Sequence, residues 1–194
     1  MAAALLLSVS VAVAIVVFDR IGGLAHSIGR PLRITFVLSA GWLVVSLALS
    51  WLVVGRGGSS LARQPLLLGA AAIVSPLIAF MWLHLFYGTY DEPFQRDGWR
   101  CLAYSLGVAA LPLAAFLVLR RAVEPRCPSA LGAAAGAACA CWAGAVIDLW
   151  CPLTNTMHVL LGHVTPVVIA ICLGALVGRW TLGVRLELPL PRKS

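Results

Sequence analysis

ALGAAAGAACACWAGAVIDLWCP, Ala130 to Pro152, is the stretch whose reading decides the fold. It carries no charge before Asp148. A bilayer core takes about 20 mainly apolar residues to cross as a helix, and this run is long enough. Within it Gly132, Gly136, Ala140 and Gly144 recur every four residues. On a helix such a row makes one face nearly bare backbone, against which a neighbouring helix can pack closely. Asp148 continues the row, and Cys151, three residues further, stays on roughly the same face. The stretch predicts a membrane helix with a close neighbour and an inward-facing carboxylate and thiol at its end. Packing accounts for the glycine row. Asp148 either satisfies polar groups near the rim or takes part in function, as intramembrane acids tend to do.

The composition around this stretch agrees with it. The chain is 61% hydrophobic and 11% charged, with a mean hydropathy of +0.98, whereas soluble domains carry about 25% charged residues. Its 194 residues supply several spans and leave little for a soluble domain. The expected fold is all-α: a polytopic membrane protein, a six-transmembrane-helix bundle over residues 1–184. Its spans fall at about 2–18, 34–54, 66–87, 101–119, 130–150 and 156–178, and residues 185–194 form a cytoplasmic tail. The first run lacks a basic n-region and a convincing small-x-small cleavage site, so it reads as a span and not as a signal peptide. Pro76 and Pro112 fall inside the third and fourth spans, where neighbours satisfy the freed carbonyls. The last span reaches full length only if it begins near Thr156, capped by Thr154 or Asn155.

Orientation follows from the basic residues. With both termini inside, the cytoplasmic side holds Arg56, Arg63, Arg120, Arg121, Arg126, Arg179, Arg185, Arg192 and Lys193. The outer side then holds Arg20, Arg30, Arg33, Arg96 and Arg100. Nine against five favours this arrangement under the positive-inside rule. The net charge of +7 therefore reports orientation in a lipid bilayer, and direct nucleic-acid binding is not expected.

Two cysteines come together in this topology. Cys101 opens the fourth span and Cys151 ends the fifth, so an antiparallel hairpin brings both to the outer rim. They form a disulfide, or a thiol pair open to metal or oxidant, or they are two unrelated small apolar residues. His158 and His163 lie on the first two turns of the last span. On an ideal helix five residues separate them by about 7.5 Å along the axis and about 140° around it. One ion then takes only one of them, and that histidine with Cys101, Cys151 or Asp148 makes a set suited to a heavy-metal or transition-metal ion at the outer rim. The bland alternative is a polar histidine satisfied by a neighbour, with Asp148 as the candidate partner. Cys139, Cys141 and Cys172 fall in mid-membrane, where thiols behave as small apolar residues. No H-E-x-x-H, G-x-S-x-G or P-loop occurs, so an enzyme is not expected. A small carrier or channel using Asp148, His163 and His84 as a polar path is one alternative function. A structural membrane subunit without a ligand is another.

The order of short motifs resembles a known family. R-C-L at Arg100 to Leu102, the double arginine Arg120 and Arg121 before a proline turn, G-A-A-A-G at Gly132 to Gly136, and D-L-W-C-P at Asp148 to Pro152 are similar to NrsF-like bacterial inner-membrane proteins. These are negative regulators of extracytoplasmic-function sigma factors. The resemblance is best from about Gly98 to Val184 and weak over the first three spans. It implies a membrane-bound anti-sigma factor in the bacterial inner membrane that holds its sigma factor and releases it on a periplasmic stress signal, metal or redox. In that family a pair of outward-facing cysteines is tied to heavy-metal response, and Cys101 and Cys151 take those places by motif. Members usually carry a cytoplasmic segment before the first span, whereas an apolar run here begins almost at Met1. Either the start is misassigned, or the sigma-binding surface is made by the basic loops and tail, with Arg56, Arg63, Arg120, Arg121 and Arg126 as candidates.

Overall fold

The computed structural model describes residues 30–54, 65–120 and 127–182. These fold into five helices: α1 (Leu32–Val54), α2 (Pro65–His84), α3 (Trp99–Leu119), α4 (Pro128–Asp148) and α5, which runs from Thr156 to Thr181. All five are long and apolar enough to cross a membrane, and no strand occurs among the described residues. They correspond to the second to sixth expected spans. The first, 2–18, and the tail, 185–194, lie outside the described residues, as do Arg56, Arg63, Arg121 and Arg126.

The boundaries shift by a few residues for local reasons. Pro65 and Pro128 open α2 and α4, where a missing N–H costs nothing. α2 ends at His84 and not at residue 87, because the chain turns at Gly88, whose φ of 74° is open to glycine without strain. At the end of α4 the backbone N–H groups of Trp150 and Cys151 both donate to the carbonyl of Ile147, closing the last turn before Pro152. Pro76 inside α2 leaves the carbonyl of Ala72 without its helical partner. The hydroxyl of Ser75 donates to that carbonyl at 2.8 Å.

α4 is the centre of the molecule, enclosed by α5, α1, α3 and α2. Its small residues make this possible. A Cβ on Gly132 would run into the carbonyl of Gly174, and one on Gly136 into the carbonyl of Ala170, so α4 and α5 meet backbone to backbone. Further along the same row, a Cβ on Gly144 would lie 2.8 Å from the indole of Trp42 on α1. Ser46 of α1 donates to the carbonyl of Ala138 at 2.9 Å, and Trp82 of α2 donates to the carbonyl of Leu38 at 3.2 Å.

The polarity pattern is inverted relative to a soluble protein. Trp51, Leu66 and Ile73 are 76%, 86% and 72% exposed, while Asp148, His158 and His163 are buried. Large apolar outer faces with polar groups inside suit hydrocarbon as the surrounding solvent.

α5 is not a uniform helix. Thr156–Val159 is α-helical, Leu160–Val164 forms a π-helical turn, and Thr165–Thr181 is α-helical again. The sequence supplies the cause. The ring of Pro166 would clash with the carbonyl of Gly162, four residues earlier, in a regular α-helix, and Pro166 has no N–H to give it. The wider turn has the N–H of Thr165 donating five residues back to Leu160, whose carbonyl also accepts from the Thr165 hydroxyl at 2.8 Å.

Candidate functional site

The five helices run up and down, so α1, α3 and α5 begin where α2 and α4 end. At that end α3 and α5 approach closely because two glycines face each other. A Cβ on Gly98 would collide with the backbone of Gly162 and the carbonyl of His158, and one on Gly162 would sit 3.0 Å from the Cβ of Cys101. This contact sets the first turn of α3 against the π turn of α5.

Cys101, Cys151, His158 and His163 meet there, all buried, with their ligand atoms within 4.8 Å of one another. Both cysteines are free thiols, with Sγ atoms 3.7 Å apart. His158 Nε2 lies 3.5 Å from Cys101 Sγ and 3.0 Å from Cys151 Sγ. Its other nitrogen, Nδ1, is 2.9 Å from the carbonyl of Arg96. A carbonyl only accepts, so Nδ1 carries the proton and the lone pair of the neutral ring at Nε2 points to the sulfurs. The thiol of Cys101 hydrogen-bonds to Cys151 and holds it well below the usual thiol range, so Cys151 is the member of the pair that ionises first.

The π turn is what brings both histidines in. With i→i+5 bonding, residue i+5 comes round above residue i, as i+4 does in an α-helix. The ring centroids of His158 and His163 are 5.4 Å apart. The expected 140° divergence is therefore corrected: it holds for an ideal helix, and this helix is locally widened.

Asp148 anchors the site from α4. Its Oδ1 lies 3.4 Å from His163 Nδ1, and its Oδ2 accepts a short hydrogen bond from Trp42 Nε1. The buried guanidinium of Arg30 donates to the backbone carbonyl of Asp148 and, at 3.1 Å, to the hydroxyl of Thr35. A carboxyl group, an imidazole and a guanidinium thus share one buried pocket. Asp148 is not one of the four residues whose ligand atoms lie within 4.8 Å of one another; its carboxylate faces the cluster at His163.

The loop between α2 and α3 covers the cluster. Glu92 accepts from the Thr154 N–H at 2.6 Å, the Thr154 hydroxyl at 2.9 Å and the Asn155 amide at 3.2 Å. Asn155 caps α5 by accepting from the His158 N–H at 3.0 Å, which decides between the two expected caps. Tyr90 donates to the carbonyl of Pro152, and burial pushes its phenol above the usual range. A cavity of about 10 Å³ beside the thiols is lined by Phe94, Arg96, Cys101, Trp150, Cys151 and His158, among others.

Arg30, Trp42, Tyr90, Glu92 and the Arg96 carbonyl were not legible as site members. Arg30 reads as one more charge in a loop, although a buried acid calls for a cationic partner. His84 does not join the cluster. It is exposed and stacks on Phe80 and Tyr87, so no path through Asp148, His163 and His84 is built. Of the basic candidates, the described Arg120 lies at the opposite end, over the Phe116 ring and 3.5 Å from the carbonyl of Val53.

Fold and site together define an all-helical protein with a buried dithiol and two imidazoles at one end of its bundle. The chain belongs to the NrsF family, negative regulators of sigma F, whose family model matches residues 1–183. The family is regulatory, and a sigma factor is the partner it implies. No curated protein and no solved structure matches the chain.

Proposed function

We propose that this protein is a membrane-bound anti-sigma factor of the bacterial inner membrane, with both termini cytoplasmic, that sequesters an extracytoplasmic-function sigma factor. It releases that sigma factor when the dithiol at the periplasmic end of the bundle meets a metal or an oxidant. Family membership supports the regulatory role. The observation that carries the sensing role is the convergence of Cys101, Cys151, His158 and His163 in one buried cluster. Scattered cysteines have no reason to meet, and a purely structural core has no need of four soft donors facing one another.

Three elements contribute to the cluster: α3 gives Cys101, the α4–α5 connection gives Cys151, and α5 gives the histidines. A stimulus that draws these donors together favours one arrangement of helix ends over another, which is the differential interaction a switch requires. Arg56, Arg63, Arg120, Arg121 and Arg126 are the candidates for holding the sigma factor, whose acidic surfaces they would complement.

Replacing both cysteines, Cys101→Ser with Cys151→Ser, is expected to leave repression of the sigma-dependent promoter intact and to abolish its induction. A reporter fused to that promoter reads both. An unchanged induction curve in the double variant would overturn the sensing role, and failure of any sigma factor to co-purify with the full chain would overturn the sequestering role.

A further inference from the structure

We propose that Cys101, Cys151, His158 and His163 are the four ligands of one tetrahedral S2N2 site for a thiophilic divalent ion of the Zn2+ or Cd2+ class. This rests on the sensing role above and narrows it to an ion and a full ligand set. Distances are the first argument. Zinc binds sulfur at about 2.3 Å and imidazole nitrogen at about 2.0–2.1 Å, so a tetrahedron around it has edges of about 3.8 Å between sulfurs and about 3.5 Å between sulfur and nitrogen. The cluster has a sulfur-to-sulfur edge of 3.7 Å and sulfur-to-nitrogen edges of 3.5 and 3.0 Å. The fourth donor, from His163, lies within 4.8 Å of the other three.

The second argument is what each donor does with its other atoms. Metal-bound histidines give their second ring nitrogen to a carbonyl or a carboxylate, which fixes the ring and its tautomer. His158 Nδ1 faces the Arg96 carbonyl at 2.9 Å, and His163 Nδ1 faces Asp148 Oδ1 at 3.4 Å. That leaves Nε2 on both rings for the ion. Both nitrogens of His163 are buried without a hydrogen bond among the described residues, and while Nδ1 has the Asp148 carboxylate before it, Nε2 is left with nothing to satisfy it, which costs free energy unless something occupies that position.

The third argument is charge. A charge buried in an apolar bundle is costly unless it is compensated, so the donors must cancel the charge of the ion. An ion M2+ binds both sulfurs as thiolates, any proton still on a thiol leaving to solvent, and forms two metal–thiolate bonds and two metal–nitrogen bonds, so the centre is neutral. Two thiolates and two imidazoles select d10 ions over Mg2+ or Ca2+, which take oxygen ligands. Four protein ligands close the site and leave no position for a catalytic water. The ion also ties α3, the α4–α5 connection and α5 together.

The test uses the reduced full-length protein in detergent, handled without oxygen and titrated with Co2+ alone. Saturation at one ion per chain is expected, with a thiolate-to-cobalt charge-transfer band and the intense visible bands of tetrahedral Co2+, all displaced by Zn2+. The Cys101→Ser, Cys151→Ser double variant should lose the charge-transfer band. His163→Gln should keep that band and raise the Kd for Co2+ at least tenfold. X-ray absorption on the unaltered Zn2+-loaded protein gives a readout independent of any variant and should show two sulfurs and two nitrogens. No charge-transfer band, a band that survives the double cysteine variant, or a shell without two sulfurs would overturn the site. If such a failure occurs while induction still depends on the cysteines, the S2N2 site falls and the sensing role stands. Tetrahedral Co2+ in a chain whose induction ignores the cysteines supports the site and removes the sensing role.

Discussion

Asp148 shows how a single residue is made tolerable inside an apolar bundle. It is fully buried, and its carboxylate is held by Trp42 and faces His163 while Arg30 supplies the positive charge. Removing one partner of such a group leaves the others buried and uncompensated, at a cost of about 3–5 kcal/mol. Asp148→Ala is therefore expected to destabilise the protein by that amount in a denaturant titration in detergent. Asp148→Asn keeps an acceptor for Trp42 and should destabilise less, yet weaken ion binding by about 10–100-fold by no longer orienting His163. Equal ion affinity in the Asn variant would remove Asp148 from the site. Glu92 invites a separate measurement. It accepts three hydrogen bonds that tie the covering loop to Thr154 and Asn155, and each bond to a charged group is worth about 1.5–3 kcal/mol. In Glu92→Ala the loop should open more often, and alkylation of Cys151 in the folded protein should accelerate at least tenfold. An unchanged alkylation rate would mean that the loop does not control access.

At the scale of elements, glycines decide which helices touch. Gly98 and Gly162 form a contact that places Cys101 beside His158, and Gly98→Ala puts a methyl into the backbone of Gly162. Overpacking of this kind costs about 1–3 kcal/mol. The first turn of α3 should move away, and Co2+ affinity should fall at least tenfold although no ligand has changed. Gly107→Ala, also on α3 but with open space around it, is the control and should bind as the parent does. Loss of affinity in both would point to a general effect on α3. The glycine row of α4 was legible from its spacing alone, because a period of four on a helix is a face. The π turn was not, since the periodicity of 160–164 is that of any apolar helix, and only the Gly162 and Pro166 pair betrays it. Pro166→Ala restores an N–H for the Gly162 carbonyl and removes the clash. A regular helix there should turn His163 away from His158, so that Co2+ keeps its charge-transfer band but loses tetrahedral intensity.

Across the described molecule, five helices long and apolar enough to cross a membrane were legible because an apolar run of the right length is a strong signal in itself. The thiol pair followed from antiparallel topology, which brings the start of α3 and the end of α4 to one end. What the sequence could not carry was the company those thiols keep: the Arg96 carbonyl, Glu92 and Arg30 arrive from segments distant in the chain, through hydrogen bonds with no local pattern. The same topology separates the cluster from Arg120 at the other end. α4 alone spans about 30 Å. If the sigma factor is held at that end, as proposed, the two ends must be coupled, and coupling between two ligands is reciprocal by thermodynamic necessity. If the ion lowers the affinity for the sigma factor by some factor, the bound sigma factor lowers the affinity for the ion by the same factor, typically 5–150-fold. Co2+ titrations of the protein alone and of its complex with the sigma factor should therefore differ in Kd by the ratio seen when sigma binding is measured with and without the ion. Charge reversal at Arg120, Arg121 and Arg126 should abolish sigma binding and return the Co2+ affinity to that of the free protein, with the spectrum unaltered. Identical ion affinity with and without the sigma factor would mean that the cluster does not govern release, whatever it binds.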